Sequence, residues 1–131
     1  MSIARWAFAV ASWVFLGAVL VQVFLAGAGL FKLTDFTLHA GFGWLLSAMP
    51  ILLAVLAFLA RVDRRTTQLT VALLVIALIQ PELAAVRHDY PVVAALHPVN
   101  ALLLFWLAWL VARRSTVAAR RPERPLADRA G

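Results

Sequence analysis

Apolar residues dominate this chain in four long blocks, at about 6–31, 36–60, 67–85 and 96–112, separated by short polar or basic segments. Each block is close to the ~20 residues that carry a helix across the hydrocarbon core of a bilayer. None shows the narrow apolar stripe of a helix that packs in water; the blocks are apolar all round, the pattern of a membrane span. The first block is too long for the apolar region of a secretion signal, although Ala26-Gly27-Ala28 has the look of a cleavage site. It reads as a retained span. Short connections after the first and second blocks force antiparallel neighbours, so the expected architecture is all-α and integral to the membrane, an up-down-up-down four-helix bundle. The third connection, 86–95, is longer; it holds Arg87, His88, Asp89, Tyr90 and Pro91 and is expected to form a small cap.

Composition agrees with this pattern. The chain has 131 residues, 64% of them hydrophobic and 14% charged, with a mean hydropathy of +0.92; soluble domains carry about 45–50% apolar and about 25% charged residues. One transmembrane domain (1–112) and a basic tail (113–131) account for the whole sequence, and the tail, with Pro122 and Pro125 among alternating charges, is expected to be disordered. The absence of cysteine excludes disulfides, thiolate metal sites and covalent c-type haem.

Charge fixes an expected orientation. Arg5, the 61–65 loop and the tail are basic, whereas the opposite side carries only Lys32 and Arg87. The positive-inside rule then places both termini in the cytoplasm of a bacterial inner membrane. A pI near 11.6 taken alone points to nucleic acid, but the arginines gather beside the expected membrane spans, where anionic lipid is the expected partner.

The candidate chemistry lies in a repeat. Gln22 precedes His39 by 17 residues, and Gln80 precedes His97 by the same 17. A shift of 58 residues superposes Gln22-x-x-Leu25-Ala26 on Gln80-x-x-Leu83-Ala84 and Leu38-His39 on Leu96-His97. The chain holds only three Gln and three His, so the coincidence of both pairs carries weight. With two spans in each half, the duplication is a parallel two-helix repeat about an axis along the membrane normal. Ionisable groups inside a membrane are functional candidates by default.

Both histidines fall in the first turn of their spans, which are diagonal in the expected bundle. With neighbouring helices about 8–10 Å apart, the diagonal is roughly 11–14 Å, room for one planar macrocycle between two axial imidazoles. Haem iron accepts histidine nitrogen readily. Gly43 and Ala101, one turn after the histidines, and Ala26 and Ala84, one turn after the glutamines, thin the helices as a ring requires. Lys32 and Arg87 are candidate partners for haem propionates. Gln22 and Gln80, expected deeper than the histidines, complete the cofactor-binding set. Simpler readings stand beside these. Glutamines in spans make interhelical hydrogen bonds and small residues permit close packing; Asp35 with Thr34 caps the second span; His97-Pro98 resembles a plain helix start.

The segments Gln-x-x-Leu-Ala and Leu-His resemble one four-helix half of haem A synthase, in which the second and fourth helices of each half carry histidines. The resemblance spans most of 10–112 and implies that His39 and His97 are the axial ligands of a b-type haem. Two departures stand out. Phe36 occupies the position of that family's acidic residue, and Ala40 and Pro98 follow the histidines where arginine is usual. Oxidation of a haem methyl group is therefore not implied, and no catalytic residue is assigned. The chain also resembles a group of small bacterial four-helix membrane proteins of no established activity, through Gln22-x-x-Leu25-Ala26-Gly27 and Leu96-His97-Pro98-x-Asn100.

Three functions follow as alternatives. The first is a small membrane cytochrome that holds one haem b or passes electrons between a quinol or membrane dehydrogenase and a redox partner. The second is a haem-free membrane protein with a structural or accessory role, non-catalytic, in which the repeat is only ancestral. The third, a small transporter, has little to build on: Pro50 is the one break at mid-depth and Glu82 the one candidate buried acid.

Overall fold

The computed structural model describes residues 2–120, and these contain helices and turns with no strand. The helices are α1 (Ile3–Leu30), α2 (Thr37–Leu59), α3 (Arg64–Ala85), a single turn α4 (Pro91–Ala94) and α5 (Leu96–Arg120). Four of them, with the α4–α5 segment taken as one, are long and apolar enough to cross a membrane. Helix α1 packs against α2 and α5, and α3 packs against the same two, so α1 and α3 face each other across one diagonal and α2 and α5 across the other.

One interior runs along the bundle. Phe8 and Phe15 of α1, Leu53 of α2, Leu73 of α3 and Val111 of α5 are fully buried and form its centre. These residues fill the end of the bundle that holds the N-terminus, the α2–α3 loop and the end of α5. The outward faces are equally apolar: Phe24, Trp44, Leu45, Phe58 and Leu102 are all well exposed. Exposed apolar surface of this extent marks a surface meant for an apolar neighbour, in keeping with helices apolar enough to cross a membrane.

Both tight turns end in the same device. The carbonyl of Ala28 accepts from the Leu33 amide at 2.9 Å, and that of Ala57 from the Val62 amide at 3.3 Å. Each 6→1 bond closes a Schellman motif, which requires a left-handed residue just past the helix. Lys32 (φ 59°) and Arg61 (φ 48°) occupy these positions, where glycine is usual. The next helix then starts at once. Asp63 caps α3 by accepting from the Thr66 amide at 3.2 Å and from its hydroxyl at 2.6 Å.

Three local expectations change. Asp35 accepts from the amide (3.0 Å) and hydroxyl of Thr37 instead of pairing with Thr34, whose hydroxyl turns to the Asp35 carbonyl at 2.6 Å. The Thr37 hydroxyl, then its amide, hold the Asp35 carboxyl below the usual carboxylate range. Helix α3 begins at Arg64, three residues before its apolar run, because its cap lies at Asp63. Helix α5 continues through 113–120, past the end of its own apolar run at 112. Its added turns still bury Ser115 and Ala119, and Arg114 is tied to Asp63 at 2.8 Å, so the basic start of the expected tail is part of the bundle. The rest of that tail, 121–131, lies outside the described residues.

Candidate functional site: two glutamine–histidine clamps and a cavity

At the opposite end of the bundle from the basic loop, four polar side chains converge in apolar surroundings. His39 stands in the first turn of α2 and His97 at the second residue of α5, each half-buried and lining the interior cavity. Gln22 and Gln80 reach them from α1 and α3. The Gln22 amide nitrogen donates to the His39 carbonyl at 2.8 Å, and the Gln80 amide nitrogen donates to the His97 carbonyl at 3.0 Å. In return His39 Nδ1 lies 3.2 Å from the Gln22 carbonyl, and His97 Nδ1 lies 3.0 Å from the Gln80 carbonyl. The two halves of the chain thus repeat the same reciprocal clamp.

These contacts determine the tautomers. A carbonyl oxygen only accepts, so Nδ1 of both rings carries the proton and Nε2 keeps its lone pair. The amide nitrogens of Gln22 and Gln80 stand 3.4 Å from the respective Nε2 atoms, a long contact that engages those lone pairs weakly. The two rings meet edge to face with centres 6.2 Å apart. Phe36 sets its own ring edge to face against His39 at 6.2 Å.

Beside the paired rings lies a cavity of about 570 Å³, within the span of small-molecule and cofactor sites. All four long helices contribute to its wall. Gln22, His39, Gln80 and His97 line it, as do the small residues Ala26, Gly43 and Ala101. Its inner end meets Phe15, Leu104 and Phe105. Leu20 and Val23 of α1 and Val99 and Leu102 of α5 also line it while remaining exposed, so its mouth opens sideways between α1 and α5.

Several expected site residues take a different place. Gln22 is level with His39, not deeper: it is bonded to that residue's backbone, and Phe36 has already come down beside Gly29, where an added Cβ would meet its ring at 3.0 Å. Gly43 clears room for Gln22 more than for a ligand, since a Cβ there would stand 2.7 Å from the Gln22 amide nitrogen. Ala84, Lys32 and Arg87 are not part of the cavity wall. Lys32 closes the turn after α1, and the Arg87 guanidinium donates to the Ala84 carbonyl at 3.4 Å.

Asn100 is the residue whose part went unread. Its amide nitrogen donates to the Ile76 carbonyl at 3.0 Å and to Oε1 of Gln80, completing the second clamp. The 58-residue shift puts Phe42 at the matching place on α2, so the first clamp has no such donor. Gln22 Oε1 is accordingly buried without a hydrogen-bond partner. The signal was available in the repeat, which aligned the glutamines and histidines but left Asn100 against an aromatic ring.

Among the described residues no group of three or more His, Cys, Asp or Glu comes together to hold a metal ion. Comparison with known proteins adds one match: residues 22–86 fit the model of a family of unknown function, DUF6220. That segment starts at Gln22 and includes His39 and Gln80, but stops short of His97. No curated protein and no solved structure matches the chain.

Proposed function

We propose that this is a multi-pass protein of the bacterial inner membrane with cytoplasmic termini, and that the clamp end of its bundle holds one b-type haem between His39 and His97. The observation that carries this reading is the state of the two imidazoles. Histidines that bind metals donate the other ring N–H to a carbonyl or carboxylate, which fixes the tautomer and raises the basicity of the ligating nitrogen. Here both rings donate Nδ1–H to backbone carbonyls and present Nε2.

One further observation fits: the two rings stand next to each other, centres 6.2 Å apart, and both line the one cavity. Two imidazoles without a third protein donor would leave most metal ions incompletely ligated, whereas haem would bring four nitrogens of its own and need only His39 and His97 from the protein. Gln22 and Gln80 would yield their long contacts to Nε2 while keeping their bonds to the histidine carbonyls. Bound haem supplies one-electron chemistry whose potential follows its axial ligands and burial. The protein's own part is to hold the imidazoles, exclude water and open the cavity toward lipid. The resemblance to one half of haem A synthase supports the same ligand pair, and Phe36 keeps the reading to haem holding or electron transfer with a quinol or a membrane redox partner.

A haem-free accessory role is favoured by a different observation: each clamp satisfies nearly all of its polar groups internally, with Gln22 Oε1 the exception. Titrating the detergent-purified protein with haemin separates the two readings. Haem holding predicts saturation at one haem per chain, lost in both His39→Ala and His97→Ala. An accessory role predicts weak, unsaturable uptake that neither substitution changes.

A further inference from the structure

A second cavity, of about 520 Å³, lies at the basic end of the bundle, and its chemistry differs from that of the first. Arg61 of the α2–α3 loop, Arg65 of α3, and Arg113 and Arg114 of α5 line it. Asp63 is its one acidic residue, and that carboxylate is already committed to the Thr66 hydroxyl and the Arg114 guanidinium. Arg114 is further fixed by its Nε–H to the Thr66 hydroxyl at 2.9 Å, and Arg113 lies 4.7 Å over the Trp109 ring. Arg61 and Arg65 form no ion pair among the described residues, and both are exposed. Below this charged rim the wall turns apolar along Leu69, Trp106 and Leu110, and the Trp106 ring stands half exposed on the outer face.

We infer that this cavity is a site for an anionic phospholipid, its phosphodiester held by Arg61, Arg65 and Arg113 and its acyl chains laid along Leu69, Trp106 and Leu110. A cationic rim directly above an apolar wall, open to the surrounding lipid, fits an amphiphile with a negative head better than it fits a soluble anion. Basic pockets between spans on the cytoplasmic side bind such headgroups. The guanidinium offers several donors in a planar fork matched to phosphate oxygens. The Asp63–Thr66–Arg114 network occupies the carboxylate and one arginine, and leaves Arg61, Arg65 and Arg113 on the same rim. The site is independent of any haem.

Native mass spectrometry of the full chain, released from micelles doped with phosphatidylglycerol or phosphatidylcholine, reads the bound lipid directly. A guanidinium that bonds the phosphodiester directly contributes about fivefold in affinity beyond the general pull of a basic loop on an anionic surface. Arg65→Gln is therefore expected to lower phosphatidylglycerol retention about fivefold, and Arg61→Gln combined with it by more than tenfold. Arg64→Gln removes a charge from the same loop outside the cavity and is expected to change retention less than twofold. Equal losses in Arg64→Gln and Arg65→Gln would overturn the site in favour of general surface charge. Equal retention of both lipids would also overturn it, and so would displacement of phosphatidylglycerol by millimolar inorganic pyrophosphate, which would mark a soluble phosphate as the ligand.

Discussion

Replacing Gly43 with alanine tests how the first clamp is built. The new Cβ would stand 2.7 Å from the Gln22 amide nitrogen, so the amide has to move by more than half an ångström to reach ordinary contact. Side-chain motion is itself inexpensive, but it breaks the 2.8 Å bond to the His39 carbonyl. An interhelical hydrogen bond in a membrane contributes on average about 0.6 and at most about 1.7 kcal/mol. Alanine in place of glycine inside a helix returns about 0.5–1 kcal/mol. Gly43→Ala alone should therefore lie between about 0.4 kcal/mol stabilising and about 1.2 kcal/mol destabilising. In a Gln22→Ala background there is no amide to displace, and the same change should stabilise by about 0.5–1 kcal/mol. The coupling energy of that double-mutant cycle is expected at about 0.6–1.7 kcal/mol. It is read from reversible unfolding in mixed micelles with increasing dodecyl sulfate, followed by helical ellipticity. Ala101 already carries a Cβ at the matching position, so Ala101→Gly should show no coupling to Gln80→Ala. A coupling below about 0.3 kcal/mol at Gly43 would mean that Gly43 does not seat Gln22.

Phe42→Asn gives the first half the donor that Asn100 gives the second, and if the new amide reaches Gln22 Oε1 the bundle should unfold at higher dodecyl sulfate than the same substitution in a Gln22→Ala background. Lys32→Gly relieves a left-handed lysine and should stabilise by about 1 kcal/mol in the same assay; no gain would show that another contact holds Lys32 in place. Asp63→Ala removes the α3 cap and should cost about 1 kcal/mol. The Thr66 hydroxyl, with the Thr66 amide and the Arg114 guanidinium, holds the Asp63 carboxyl down to about 2 from an ordinary 3.8. Because the folded value is the lower one, this stabilisation is complete above about 3.8 and fades as the pH falls toward 2. Wild type should lose stability over that window more steeply than Asp63→Ala, which an acid titration of ellipticity checks.

The residues differ in how much of this arrangement they reveal in advance. Four apolar blocks and the short connections between them sufficed for four long helices and their antiparallel order, because length, hydropathy and loop reach set that outcome. The pairing of Gln22 with His39 and of Gln80 with His97 was visible as equal spacing, and the structure joins each pair directly. What spacing does not carry is level and direction. Gln22 sits beside His39 because the turn after α1 folds back through Lys32 and Phe36, a consequence of a Schellman motif that no composition rule announces at a lysine. The end of α5 was hidden for a related reason: residues 113–120 read as a charged tail until Asp63, a distant partner, ties Arg114 to the bundle. Lys32 and Arg87 had the right charge for propionates and lie at the clamp end of the bundle, but neither lines the cavity.

Electron paramagnetic resonance of the ferric protein after haemin loading tests the central claim most directly, because it reports both axial ligands at once. Coordination by His39 and His97 predicts a low-spin, six-coordinate signal in the wild type that converts to a high-spin signal, or is lost with the haem, in each single His→Ala variant. A wild-type signal that is already high-spin, or one that survives unchanged when either histidine is removed, would contradict it.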